Sequence, residues 1–196
     1  SLIGSRLTNI TPFVTVSEAA ANSLDTHYDT LANNPIDAEL DSMYVWFNDP
    51  EANLLMVGDT VIISGATTFA GIPAPDLNGD FLVRELGVNK FKVYTGVAAT
   101  STASGGGAAV VRTSGLLTLN EVAHGQVNGD RVKIEGAANT GGILAADINK
   151  EFIIRNVLAN SFDFMTLGTA SSSVSAGGGG ATVYYEEIPP GLVNET

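Results

Sequence analysis

The chain has 196 residues, of which 44% are hydrophobic and only 15% are charged, and its formal net charge is −12. This length accommodates one large or two small domains, and the apolar content excludes disorder throughout. The nine basic residues are scattered singly, so we expect no direct nucleic-acid binding. The absence of cysteine excludes disulfides and thiol catalysis, and no apolar run approaches the roughly 20 residues of a membrane span.

The first 41 residues differ in composition from the rest of the chain. Residues 1–16, including Phe13, resemble an arm that becomes ordered on a partner. Ser17 is a plausible N-cap, alanines follow, and Pro35 ends the element, so the sequence predicts one short helix. His27 is expected on this helix, facing solvent or an interface. The helix would carry an apolar stripe for packing on a neighbour, formed by Leu24, Tyr28 and Leu31.

The segment "MYVWFNDP" contains the main aromatic cluster of the chain. Alternation along a strand places Tyr44 and Trp46 on one face and Val45 and Phe47 on the other. A strand with two apolar faces is expected to be buried on both sides, by the core and by a helix or another subunit. We therefore predict an interaction surface here, formed by Tyr44, Trp46 and Phe47, with core packing alone as the alternative.

The strongest signal is a duplication with an offset of 71 residues. Residues 58–91 align without a gap on residues 129–162, with 15 of 34 positions identical, and aromatic residues stay in register. We expect two tandem modules, residues 42–113 and 114–186, followed by a C-terminal tail, residues 187–196.

Each copy alternates like a set of short strands, so the predicted fold is mainly β, with two small barrel-like or roll-like modules. Between the first two strands of each repeat lies a loop in which no helix is expected. A Ser/Gly-rich tract follows in both copies, residues 97–111 and 168–185. Because it occurs twice, the tract is interpreted as part of each module that leads into a closing strand, at residues 108–112 and 181–186, rather than as a linker.

Candidate catalytic and ligand-binding motifs are weak. The segment "DLNGD" (76–80) begins like a calcium loop but lacks the distal glutamate, so a turn through Asn78-Gly79 is preferred. His124 has no partner for a metal site or a triad and is interpreted as a polar turn residue. The Gly-rich tracts lack the Lys and the following helix of a phosphate loop. We predict no catalytic residues, no metal and no cofactor.

The order of motifs in the second copy, "NEVAHGQVNGDRVKIEGA" through "ASSSVSAGGGGATVYYEE", resembles a β-module of tail and head–tail proteins of tailed bacteriophages. It is also similar to the small barrel domain of ubiquitin-activating enzymes, without their catalytic cysteine. The resemblance covers about residues 42–186, and the first copy departs from it, with "ANLL" in place of "AHGQ". It implies a virion component that is not an enzyme, and it names no site residues.

The expected function is therefore that of a virion structural protein that assembles with itself and with neighbouring virion proteins. The tail or head–tail junction is the favoured position, and capsid decoration is the alternative. A rival of another class is a module that binds carbohydrate or a host receptor, because loops rich in Ser, Asn and Gly often carry ligand sites. Tyr44 and Trp46 would then be platforms for a host surface glycan.

Overall fold

The computed structural model describes residues 22–179 and 183–187, and the fold is mainly β, as predicted. Neither single-turn α-helix of this part, α1 (Ala74–Leu77) or α2 (Ala145–Ile148), is long or apolar enough to cross a membrane. The strands are β1 (Ser23–Thr30), β2 (Ile36–Ala38), β3 (Tyr44–Asn48), β4 (Thr60–Ser64), β5 (Gly79–Leu82), β6 (Glu85–Gly87), β7 (Lys90–Tyr94), β8 (Ala103–Gly105), β9 (Val111–Asn120), β10 (Arg131–Glu135), β11 (Glu151–Ile153), β12 (Arg155–Leu158), β13 (Ser161–Met165), β14 (Val174–Gly177) and β15 (Tyr184–Glu187).

The strands form the same antiparallel arrangement twice. A five-stranded sheet in the order β6-β7-β3-β2-β8 corresponds to the order β12-β13-β9-β1-β14, and the set β5-β4-β9 corresponds to β11-β10-β15. The first module consists of the sheet β6-β7-β3-β2-β8 and the set β5-β4-β9. The second module consists of the sheet β12-β13-β9-β1-β14 and the set β11-β10-β15. The buried apolar side chains likewise form two clusters, one within residues 31–110 and one from Leu24 and residues 117–185.

Strand β9 belongs to both modules. Its first residues pair with β4, and its last residues pair with β13. The sequence predicted a closing strand at residues 108–112 and a module boundary between residues 113 and 114, whereas in the structure one strand runs across this boundary. Near the middle of β9, Gly115 lies so close to the end of β13 that a Cβ there would be 2.2 Å from the carbonyl oxygen of Thr166. No side chain fits at this close approach.

The predicted N-terminal helix is wrong over residues 23–30, which form β1. Leu24 and Tyr28 are four residues apart, and this spacing matches one face of a strand as well as one face of a helix. Thr26, which lies between them, is also buried, so the observed period is two. Leu31 lies beyond the strand and packs in the first cluster. The start of the predicted helix and the arm with Phe13 lie outside the described residues.

Strand β1 does in the second module what β2 does in the first. It lies between β9 and β14, as β2 lies between β3 and β8. Asn120 donates a hydrogen bond to Asp25 at 2.9 Å, and Asn48 donates one to Asp37 at 2.8 Å in the equivalent place. An N-terminal strand therefore completes the core of the module that is formed by the C-terminal half of the chain.

The Ser/Gly-rich tracts are part of the sheets, since β8 and β14 lie within them. Gly106 and Gly178 follow these strands with φ of +100° and +85°. A Cβ would come within 2.6 Å of Ile36 at Gly106 and within 2.7 Å of Leu24 at Gly178. Both glycines thus combine a left-handed backbone with close packing against the neighbouring strand, and the same arrangement occurs in each copy.

The loop predicted to contain no helix holds α1 in the first copy and α2 in the second. The side chain of Asn78 accepts a hydrogen bond from the Ala66 N–H at 2.9 Å and donates one to the Ala66 carbonyl at 2.8 Å. Asn149 makes the same pair with Ala137. The preferred turn through Asn78-Gly79 is therefore a helix end, and the shared geometry of this amide explains why the asparagine recurs in the repeat.

Candidate interaction surface

The outer surface of the β6-β7-β3 sheet carries the aromatic residues that the sequence singled out. Tyr44 and Tyr94 are each 45% exposed, and their ring centroids are 5.2 Å apart. Trp46 lies on the same side, half-buried, so the predicted alternation is correct. We call the surface formed by Tyr44, Trp46, Lys90, Lys92 and Tyr94 the open face.

The other candidate interface residues lie elsewhere. Phe47 points inward and stacks on Phe91 with ring centroids 5.4 Å apart. Leu24 and Leu31 are buried in the two clusters, and Tyr28 packs half-buried against the second. These four side chains pack inside the modules and not on an outer surface, because the inward side of each module forms its own core. Of the candidates within residues 22–179, only Tyr44 and Trp46 lie together on one outward surface.

The open face is cationic, which the sequence analysis missed. The Nζ atoms of Lys90 and Lys92 each lie 4.5 Å from the centroid of the Trp46 ring, a cation–π arrangement. Glu85 pairs with Lys92 at the edge. Arg84 is exposed and lines a shallow depression with Tyr44, Glu85 and Lys92. These basic residues are separated in the sequence, but the pairing of β6 with β7 makes them neighbours.

The equivalent surface of the second module is covered. The loop of residues 49–59 from the first module, which we call the covering loop, lies over it. Asn156 donates a hydrogen bond to the Leu54 carbonyl at 2.8 Å. The Thr118 hydroxyl, at the position equivalent to Trp46, donates to Asp163 at 2.6 Å. Polar side chains that bond to the covering loop or to one another therefore replace the aromatic and cationic residues of the open face.

One ion pair fastens the end of the covering loop. The Arg155 guanidinium donates from both terminal nitrogens to the two carboxylate oxygens of Asp59, each at 2.7 Å. Their side chains are only 13% and 11% exposed. A bidentate pair at this degree of burial fixes both orientation and distance between the modules.

The beginning of the covering loop holds a buried arginine. Arg112 and Asp49 are both fully buried, and the Arg112 Nε donates to Asp49 at 2.8 Å. The Arg112 Nη2 lies 2.6 Å from Asp29 and 3.5 Å from Glu51. One cation thus faces three carboxylates, and two of them, Asp49 and Glu51, belong to the covering loop.

His27 extends this cluster toward the second module. Its Nδ1 lies 3.0 Å from Glu51 and its Nε2 lies 3.0 Å from the Thr118 hydroxyl. The expected helix is wrong at His27, which lies on β1 and faces the covering loop rather than solvent. His124 lies just after the turn at Val122 and Ala123, and its Nε2 lies 2.8 Å from the Leu158 carbonyl oxygen.

The cluster shifts the pKa of two carboxyl groups in opposite directions. Burial raises the pKa of Asp29 to about 6, against the attraction of Arg112 and together with repulsion from the neighbouring carboxylates. The hydrogen bond with His27 lowers the pKa of Glu51 to about 2. The shifts are opposite because desolvation outweighs the attraction of Arg112 at Asp29, whereas hydrogen bonding to His27 outweighs desolvation at Glu51.

The side chains of His27, Asp29 and Glu51 also offer ligand atoms within 4.8 Å of one another, a spacing that suits a metal ion. The guanidinium of Arg112 lies within ion-pair distance of both carboxylates and already supplies the positive charge. The donor set therefore fits an ion-pair network better than a divalent cation, which Arg112 would repel.

The geometry is thus a pair of equivalent sheet faces, one covered and one open. Comparisons of the chain with models of protein families, with curated proteins and with solved structures found no match. The family suggested by the motif order of the second copy remains a prediction.

Proposed function

We propose that this chain is a structural protein without enzymatic activity, which works by binding other proteins through the open face. The observation that carries the proposal is the difference between the two equivalent faces. In the second module the covering loop lies over the sheet, whereas the first module presents Tyr44, Tyr94 and the half-buried Trp46–lysine cluster at the same place. Tyr, Trp and Arg are enriched among the interface residues that contribute most of the binding free energy.

The composition supports the same function. Although the net charge of the chain is −12, Arg84, Lys90 and Lys92 come together around one surface, where the one acidic neighbour, Glu85, is paired with Lys92. Such a patch selects acidic partners and steers their approach. An acidic protein surface is therefore the expected ligand of the open face.

The rival function, glycan binding by Tyr44 and Trp46, is less well supported. Sugars stack on an uncovered aromatic ring, and here both lysine ammonium groups lie over Trp46. A sugar would have to displace them and lose the cation–π energy of about 0.5–1 kcal/mol for each at an exposed site. The same two lysines suit carboxylates from a protein partner.

The biological setting that we propose is the virion of a tailed bacteriophage, with the tail or head–tail junction favoured over capsid decoration. This part rests on the resemblance of the second copy to a phage β-module. The test is quantitative mass spectrometry of purified particles from cells that carry the gene. The protein is expected in particles at a fixed ratio to the major capsid protein, and its absence from particles would overturn the virion assignment.

A further inference from the structure

The covering loop has a counterpart in the second module. Residues 121–130, which we call the exposed loop, follow the last residue of β9 as the covering loop follows β3. The Asp49 N–H donates to the Asn89 carbonyl in one loop, and the Glu121 N–H donates to the Asn160 carbonyl in the other, both at 2.9 Å. The two loops therefore leave their sheets in the same way.

The ends of the two loops are built alike. The Met56 N–H donates to the carboxylate of Asp59 at 2.7 Å, and the Val127 N–H donates to the carboxylate of Asp130 at 2.8 Å. In both, the aspartate carbonyl accepts a hydrogen bond from the N–H of the residue that follows a strand of the same module, Val83 after β5 at 2.8 Å and Ile154 after β11 at 2.9 Å. Asp130 is thus held in the orientation that Asp59 uses to bind Arg155.

The arginine is repeated as well. Arg155 minus the offset of 71 is Arg84, and Asp59 plus 71 is Asp130, and both pairs are identical in the alignment. Within the chain, the loop of the first module meets the arginine of the second. The opposite combination, Asp130 of the second module with Arg84 of the first, does not form within the chain. Arg84 is exposed, and within residues 22–179 and 183–187 neither Arg84 nor Asp130 forms an ion pair.

The exposed loop also presents apolar surface. Val122 is 80% exposed and Val127 is 61% exposed. On the other side, the depression beside Arg84 is lined by Tyr44, Glu85 and Lys92. The two surfaces are complementary in charge at Asp130 and Arg84, and valine side chains suit the tyrosine rings of the open face.

We propose that a second copy of this chain occupies the open face, inserting its exposed loop so that its Asp130 binds Arg84 of the first copy. The contact repeats between chains what the Asp59–Arg155 contact does within one chain. It deepens the proposed function, on which it rests, by naming the partner of the open face. Because the two surfaces are different parts of the molecule, the association is head-to-tail, and it closes into a ring or continues as a filament.

Charge reversal tests the proposal. In Arg84→Asp alone, Asp130 of one copy would face a second carboxylate on the next copy, and in Asp130→Arg alone two guanidinium groups would face each other. We expect each single variant to self-associate at least about tenfold more weakly than the original chain, as removal of a desolvated interfacial charge pair does. Sedimentation velocity over a concentration series at low salt measures this.

The two variants mixed in equal amounts give the decisive result. In an alternating assembly every contact is again between opposite charges, since Asp130 meets Arg84 at one contact and the reversed pair meets at the next. We expect the mixture to recover the association of the original chain. Circular dichroism and thermal unfolding check that each variant is folded. Lys150→Asp, on an exposed pair with Asp147 outside both the open face and the exposed loop, is the matched control and is expected to associate normally.

Weak association of both single variants that the mixture does not rescue would overturn the Arg84–Asp130 pairing. Monomers of the original chain at all concentrations would overturn self-association through the open face. Neither result bears on the presence of the protein in particles, and absence from particles would leave a successful mixing experiment intact. The association experiments therefore test the contact between copies, and the analysis of particles tests the virion assignment, each independently of the other.

Discussion

The two five-stranded sheets have the same strand order and different outer faces. On the covered face, Thr118 and Asp163 occupy the positions that Trp46 and Lys92 occupy on the open face. The inner faces, in contrast, both carry aromatic and branched apolar residues, Phe91 and Phe162 among them, at 0% exposure. The comparison shows that the duplication retained what each core needs, while the outer faces diverged according to what lies on them.

The largest loss of stability is expected from substitution of the buried arginine that binds the covering loop. Arg112→Met leaves Asp49 fully buried and without its ion partner, and breaking a buried pair in this way costs about 3–5 kcal/mol of unfolding free energy. Chemical denaturation measures it. Arg131→Met, on a pair that is about half exposed, is the control and is expected to cost less than about 1 kcal/mol. Equal losses in the two variants would contradict the structural role of the cluster.

The equivalent arginines provide a matched pair. Arg155→Ala removes two hydrogen bonds to a charged group and leaves Asp59 largely buried, so the free energy of unfolding is expected to fall by about 1.5–3 kcal/mol. Arg84→Ala is expected to change it by no more than about 0.5 kcal/mol in dilute solution. If the two alanine variants were equally stable, the faces would not differ in the way described.

The acidic cluster predicts a pH dependence. The pKa of Asp29 is raised from 3.8 to about 6, so between these values the folded state holds a proton that the unfolded state has lost. Stability should therefore fall as the pH rises from about 4 to about 6, by roughly 1–2 kcal/mol after allowance for partial exposure. Asp29→Asn should remove this fall. Glu51, with its pKa lowered to about 2, acts in the opposite sense below about pH 4.5.

Urea unfolding of the original chain and Asp29→Asn at pH 4, 5, 6 and 7 checks this prediction. The two curves of stability against pH are expected to diverge between pH 4 and 6. Parallel curves over that range would show that Asp29 does not titrate as the geometry implies.

The smallest effect on stability is expected on the open face itself. Tyr44→Ala removes one ring of an exposed aromatic pair, which is worth less than about 1 kcal/mol. Phe47→Ala, on the inner face of the same strand, is expected to cost about 3–5 kcal/mol. Thermal unfolding of both variants compares the two sides of β3, and a large loss at Tyr44 would mean that the open face is part of the core.

Much of the fold was predictable because the repeat provides two different sequences for the same arrangement of strands. Period-two alternation identified β4, β7, β10 and β13, and the recurrence of the Ser/Gly tract showed that it belongs to each module. The first 41 residues occur only once, so no second sequence was there to compare with them. Leu24 and Tyr28 fit a helix and a strand equally well, and only the neighbouring strands β9 and β14 decide between them.

The candidate site was only partly predictable for a related reason. Alternation placed Tyr44 and Trp46 on one face of the strand and Phe47 on the other, but which of the two faces is covered depends on the elements that pack against β3. Arg84, Lys90 and Lys92 come together through pairing between strands, and no local pattern reports this. One signal was present: Asp59, Arg84, Asp130 and Arg155 are identical between the copies although none is apolar, which indicates a contact rather than a core.

The most direct test of the open face uses the single tryptophan of the chain, because Trp46 lies at its centre. Its fluorescence emission can be followed over a dilution series in parallel with the mass in solution. If association takes place on the open face, emission moves to shorter wavelength as mass increases, and Arg84→Asp abolishes both changes. An increase in mass with unchanged Trp46 emission would contradict the account, because association would then take place on another surface.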